Sequence, residues 1–250
     1  MILPLGNRAE HQQHEFIWKV VLPEPGFPVA TPVSQFVSLL HGRLDHLDER
    51  PGLVVGCGSG NEVLYLRRAF SSRHVVGIDI EPNFSPLAKS EAGLIVADAK
   101  DLPFPGESFD YVAMFHSLEH VGNPDIALAQ VKRVVRRGGW VYVGVPNKAR
   151  LLGYVGAFDA TWKQKIAWNL KDYSMRLTGR FENDLGAHAG FEGKELVRLL
   201  DAHFRSTQLL TQEYFRLKYG SRLPSLVLDL LLAPQIVTFS VPAHYALCQK

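Results

Sequence analysis

Five short and almost wholly apolar runs, LVVG (53–56), HVVGID (74–79), GLIVAD (93–98), FDYVAMF (109–115) and GGWVYVGVP (138–146), recur between residues 53 and 146. Strands apolar on both faces must be covered on both faces. The segments between them, NEVLYLRRAF (61–70) and PDIALAQVKRVVRR (124–137), carry apolar residues at helical spacing, as does a short stretch near Leu87. The pattern predicts an α/β fold, a doubly wound, Rossmann-like parallel sheet between two layers of helix. Upstream, Phe36, Val37, Leu40, Leu44 and Leu47 predict a helix from Val33 to about Asp48, stopped before Pro51. Residues 1–32, with Pro4, Pro23, Pro25, Pro28 and Pro32, read as an irregular leader. After Pro146 the rhythm lapses, then returns as a helix in FEGKELVRLLDAHF (191–204) and strands in STQLLTQEY (206–214) and PAHYALCQK (242–250). A single domain over 1–250 is therefore expected, with an inserted helical lid at 147–190 and a second insertion at 215–240, both on the ligand side of the sheet.

Composition removes several function classes. With 46% apolar and 21% charged residues in 250, the chain can bury a full core, and its net charge of +2 is too balanced for a dedicated nucleic-acid module. Cys57 and Cys248 lie too far apart in sequence for a metal pair or a disulfide framework, which fits a reducing compartment. The opening MILPLGNRAE lacks a secretory pattern, and the apolar stretch Leu223 to Val241, interrupted by Pro224, Asp229 and Pro234, suits a buried helix and strand better than a membrane span. A cytoplasmic protein is expected.

Gly56, Cys57, Gly58, Ser59 and Gly60 follow a strand and open a helix, so backbone can approach a ligand closely there. The spacing is G-x-G-x-G, and Asn61 occupies the third glycine position of the dinucleotide fingerprint, which argues against a nicotinamide-dependent oxidoreductase. Asp79 ends the second strand, where a carboxylate can accept from two ribose hydroxyls, and Asp98 ends the third, within reach of an adenine amine.

These segments, with LPFPGESFDYV (102–112) and RVVRRGGWVYVGVPN (133–147), resemble the class I S-adenosylmethionine-dependent methyltransferases over residues 33–146 and more loosely over 190–250. The resemblance implies a seven-stranded, mostly parallel sheet whose last strand is antiparallel, and S-adenosyl-L-methionine as cofactor. Carried across by position, Gly56, Cys57, Gly58 and Gly60 would line the methionine end, Asp79 the ribose, Ile80 the adenine face, and Asp98 with Ala99 the adenine edge. Val54 stands where the family commonly has an acid, so carbonyl oxygens or another carboxylate must meet the methionine ammonium group.

Methyl transfer to oxygen needs alignment and a proton acceptor. In FHSLEHV (115–121), His120 is the expected general base and His116 a cofactor contact. Ubiquinone-pathway and small-RNA O-methyltransferases resemble Glu-x-x-Glu-His here and can hold a metal. Glu119 and His120 match and His188 is a remote fourth candidate, but His116 replaces the first Glu, so no metal is expected. Between Lys148 and Arg180 seven basic residues face two acids, while Phe158, Trp162, Ile166, Leu170, Tyr173 and Leu177 form one helical stripe. A lid, a helix resting on anionic lipid and a merely packed helix all fit this pattern. The expected acceptor is a small or lipid-linked molecule rather than nucleic acid. A non-catalytic cofactor-binding protein is the alternative.

Overall fold

A computed structural model describes residues 31–154, 160–183 and 188–250; the expected leader lies almost wholly outside these, as does Phe158 of the stripe. Seven strands, β1 Gly52–Val55, β2 Val75–Asp79, β3 Gly93–Val96, β4 Phe109–Phe115, β5 Val135–Pro146, β6 Ser206–Leu209 and β7 Ala243–Gln249, form one sheet in the order β3-β2-β1-β4-β5-β7-β6. All neighbours are parallel except β7, which runs antiparallel to both β5 and β6.

Alternation along the central strands builds a core on each face. Leu53, Val55, Val112 and Met114 point to one side, where α4 (Pro124–Val134) and α6 (Gly193–Asp201) bring Leu128, Val131, Leu196 and Leu200. Val54, Tyr111 and Ala113 point to the other, against Phe36, Val37 and Leu40 of α1 (Thr31–His41) and Val63 and Leu66 of α2 (Asn61–Ala69). β1 and β4 are buried at every position, so their continuous apolar runs are what a doubly covered strand requires. The remaining helices are α3 (Pro86–Glu91), α5 (Trp162–Leu177), α7 (Thr211–Tyr219), α8 (Ser225–Leu231) and α9 (Val237–Ser240).

The elements differ from the sequence expectation in four places. α1 ends at His41, short of Asp48, because the chain turns at Gly42 and then passes through a left-handed His46 at φ 53°. α4 stops at Val134 and Val135 already pairs with Phe109; Arg136 thereby reaches Asp110 at 2.7 Å, a carboxylate that also pairs with Arg50 at 3.2 Å. The run STQLLTQEY is a strand only to Leu209, and from Thr211 it is the helix α7, whose Tyr214 and Phe215 are buried. The stretch 223–241 forms two short helices and no strand, with Leu228 and Leu232 packed on Phe215 and Tyr219. Among the described residues no helix is long and apolar enough to cross a membrane.

Candidate functional site

The chain leaves β3 at one edge and returns to β4 beside β1, so β1 and β4 part at their carboxyl ends, and a crevice opens where such sheets bind ligands. A cleft of about 610 Å³ lies there, lined by the loop after β1 (Gly56, Gly58), the ends of β2 and β3, and, from the segment after β4, His116, Ser117, His120, Val121 and Gly122. That volume lies within the range of small-molecule sites.

The loop after β1 is held by its own amides. Gly56 and Cys57 N–H both donate to Ile78 O at 2.9 Å, Gly60 N–H donates to Cys57 O at 2.8 Å, and Gly58 N–H donates to Asp79 Oδ2 at 2.7 Å. Four loop amides are thus already bonded to protein, an arrangement unlike the open nest of N–H groups that cradles a pyrophosphate. Gly56 and Gly58 adopt φ 71° and 50°. A Cβ on Gly56 would come within 2.3 Å of the Ser117 side chain, whose hydroxyl donates to Val55 O at 2.7 Å, whereas a Cβ on Gly58 would meet open space. Gly56 is therefore needed by the protein itself, and the bare Gly58 backbone faces the cleft.

Two of the expected loop contacts lie elsewhere. Cys57 is buried and absent from the cleft lining; its Sγ points across to Gly77, and burial, reinforced by the charges of Asp79 and Glu62, pushes the thiol up to about 12. Gly60, at φ 85°, caps α2, and a Cβ there would run into Ala88 and Leu94; it too is absent from the cleft lining. Cys57 turns inward between the two cleft-facing glycines, and Gly60 already caps the helix that carries the chain away from the cleft. Val54 is fully buried in the core against α1 and α2.

Asp79, Ile80, Asp98, Ala99 and His116 all line the cleft. The Asp79 carboxylate accepts from Gly58 and, through Oδ1 at 3.0 Å, from Glu81 N–H, so it fixes the glycine loop and keeps lone pairs toward the cleft. Ala97 N–H donates to Asp79 O at 2.9 Å, tying the second and third strand ends together. Asp98 Oδ1 accepts from Lys100 N–H at 2.8 Å, and Lys100 Nζ stands 3.6 Å from Oδ2. Lys100, Ser117, Val121 and Gly122 line the cleft without having been singled out in the sequence, since nothing in their spacing marks them.

After β4, His116 takes a left-handed φ of 53°, its N–H donating to Gly144 O at 2.8 Å, and Ser117 leads into a short 3₁₀ turn, Leu118–His120. His116 Nε2 lies 3.1 Å from the hydroxyl of Tyr245 on β7. Burial, with the nearby charges of Lys218, His120, Arg150 and His188, holds the His116 imidazole down at about 4, so it is neutral at pH 7. Burial likewise lowers His120, whose side chain is 54% exposed, which leaves an unprotonated nitrogen at the cleft. His188 comes in from the insertion and sets its ring edge-to-face on His120 at 4.7 Å.

Between the two histidines sits Glu119, 1% exposed, with Oε1 4.0 Å from His116 Nδ1 and 3.9 Å from His120 Nε2, and Oε2 without a hydrogen-bond partner. Burial raises this carboxyl to about 7, against smaller opposing effects of a backbone hydrogen bond and Arg150. The folded protein therefore keeps a proton that the unfolded chain gives up near pH 4.5, and the stability this group contributes, full at low pH, is lost as pH rises through about 7. Relative to Glu119→Gln, the wild type is expected to lose on the order of 2 kcal/mol between about pH 5 and about pH 8, read from urea unfolding at both pH values. Equal differences at the two pH values would place the carboxyl in contact with water.

No described residue of 147–190 lines the cleft; the insertion meets it indirectly, through the ring contact of His188 with His120.

Residues 53–143 match a family model described as a methyltransferase domain. Among curated proteins, the chain is 39% identical over 93 residues to a fatty-acid O-methyltransferase of Mycolicibacterium smegmatis, covering 35% of this chain and 34% of that one. It is 35% identical over 96 residues to a demethylmenaquinone methyltransferase of Staphylococcus aureus, covering 36% and 40%. The chain spans half or less of the length of the curated relatives it matches first. In fold it is similar to YcgJ of Bacillus subtilis, with a TM-score of 0.53, 13% identity and coverage of 88% and 97%. It is likewise similar to an S-adenosylmethionine-dependent methyltransferase of Thermotoga maritima, with a TM-score of 0.50, 16% identity and coverage of 96% and 95%.

Proposed function

We propose that this chain, which matches a methyltransferase domain over residues 53–143, is a class I S-adenosylmethionine-dependent methyltransferase that transfers a methyl group from S-adenosyl-L-methionine to an oxygen of a small or amphiphilic acceptor. The observation that carries the reading is one cleft that unites bare glycine backbone, two carboxylates at adjacent strand ends and an unprotonated histidine. The residues fit a nucleoside bearing an amino acid better than a dinucleotide, because the loop amides are already bonded while Asp79 and Asp98 present carboxylate oxygens. Asp79 would hold the ribose, Ile80 and Ala99 the adenine, and the Gly56 to Gly58 backbone the methionine end.

When bound, the cofactor supplies a methyl group already activated on a sulfonium. The protein's own work is then to orient, to exclude water and to accept a proton. His116, clamped by Gly144 and Tyr245, forms a fixed neutral wall. His120, half-exposed at the cleft, takes the proton released by the acceptor oxygen. An acceptor with an apolar body is supported by the fatty-acid and quinone-precursor substrates in the names of two relatives.

Calorimetry tests the cofactor. S-adenosylmethionine and its demethylated product are expected to bind and NAD to give no heat; the converse would overturn the reading. Asp79→Ala is expected to weaken binding by about 2–4 kcal/mol, since a charged acceptor and the anchor of Gly58 N–H are lost together. An unchanged affinity in a folded variant would put the ribose elsewhere. Transfer of labelled methyl to fatty acids and phenols then tests the acceptor class.

A further inference from the structure

The helix α5 is docked the wrong way round for a soluble amphipathic helix. Trp162, Ile166, Leu170, Tyr173 and Leu177 fall within about 80° of one another at 100° per residue, a single apolar stripe. A stripe of this kind ordinarily faces the core, yet here Trp162 is 67%, Leu170 64% and Leu177 90% exposed. The helix is held instead by its polar side. Asp172 pairs with the buried Arg150 at 2.7 Å, and Asn169 exchanges hydrogen bonds with Gly153 N–H at 2.8 Å and Gly153 O at 3.1 Å. Arg176 donates to Lys148 O at 2.8 Å and Arg150 O at 3.1 Å.

The stripe continues beyond the helix. Tyr173 donates to Leu151 O and Leu151 N–H donates to Phe239 O, and Leu151 and Phe239 are themselves exposed, so α5 and α9 present one apolar surface. On α5 itself the exposed charges are of one sign. Between residues 160 and 181 the only acid is Asp172, which Arg150 neutralises in the interior, while Lys163, Lys171 and Arg180 are exposed. An apolar stripe that bears a tryptophan, on a helix whose exposed charges are cations, complements an anionic lipid surface.

We propose that the outward face of α5, with Leu151 and Phe239, seats the protein on an anionic bilayer. The seat is independent of methyl transfer, since no described residue of α5 lines the cleft. It would bring an acceptor dissolved in the membrane to the enzyme without a spanning segment.

The test uses the full chain and vesicles of phosphatidylcholine with or without phosphatidylglycerol. Co-sedimentation is expected with the anionic vesicles, to weaken with added salt and to be slight with phosphatidylcholine alone. Leu170→Glu with Leu177→Glu should cut vesicle affinity at least about tenfold without lowering the melting temperature, both side chains being exposed. Lys163→Glu, beside the stripe, should cost about fivefold at low salt, the equivalent of about 1 kcal/mol for one cation near the surface. The proposal is overturned if the wild type stays in the supernatant, or if the leucine double variant binds as the wild type does. It is equally overturned if that variant only breaks a concentration-dependent dimer, which makes a second copy the occupant. Vesicle binding that appears only on removal of residues 1–30 would make that segment the occupant and overturn it too.

Discussion

His120→Ala is expected to lower the rate of methyl transfer by about 10²–10⁴, the usual contribution of a positioned general base, while the affinity for S-adenosylmethionine stays within about twofold. The split follows from position: His120 stands half-exposed at the cleft mouth, beyond the strand ends where the glycine loop and Asp79 lie. In the wild type, kcat should fall at acid pH as the imidazole takes up a proton. Burial and the neighbouring His188 lower the histidine's affinity for that proton, so the acid limb should lie below the ordinary histidine value of 6.5. Single-turnover transfer measured across the pH range separates the outcomes. A full rate in the variant would assign His120 to holding the 3₁₀ turn and leave deprotonation to water.

The second large effect is structural. Arg150, 4% exposed, lies over the Phe181 ring at 5.3 Å and donates to Asn147 O, Ala189 O and His188 O as well as to Asp172, which also accepts from Tyr154. Removing one partner of a buried pair strands the other, at a cost of about 3–5 kcal/mol, so Asp172→Ala is expected to destabilise the docking of α5 by that amount. Because Arg150 joins the end of β5 to the 188–189 segment, the loss should be local: faster amide exchange across α5 with the sheet amides unchanged. His188 should shift with it, which couples the insertion to His120 through their ring contact. Replacing both partners by apolar residues should recover much of the loss, since no buried charge is then left alone. Unchanged exchange in Asp172→Ala would mean that Asn169 and Arg176 suffice to hold the helix.

The layered sheet and the strand ends that carry Asp79 and Asp98 were legible from local pattern, because strands buried on both faces tolerate few polar residues and a turn into a helix at a ligand needs glycine. His116, Glu119 and His120 were legible as a group because they follow the fourth strand directly. What the pattern left undecided was direction. Cys57 and Gly60 belong to the right loop yet face the core and α3, since Cys57 packs inward against Gly77 and Gly60 already caps α2, and only the packed neighbours decide which side is the cleft. Tyr245 lies 129 residues from His116 along the chain and meets it only because β7 inserts antiparallel between β5 and β6. The stripe on α5 was plain at helical spacing, but whether it faces inward or outward rests on which side of the helix bonds more strongly. Here a buried Arg150–Asp172 pair and two sets of backbone hydrogen bonds lie on the polar side and outweigh the burial of the apolar one, a balance that exists only after the insertion has met the end of β5.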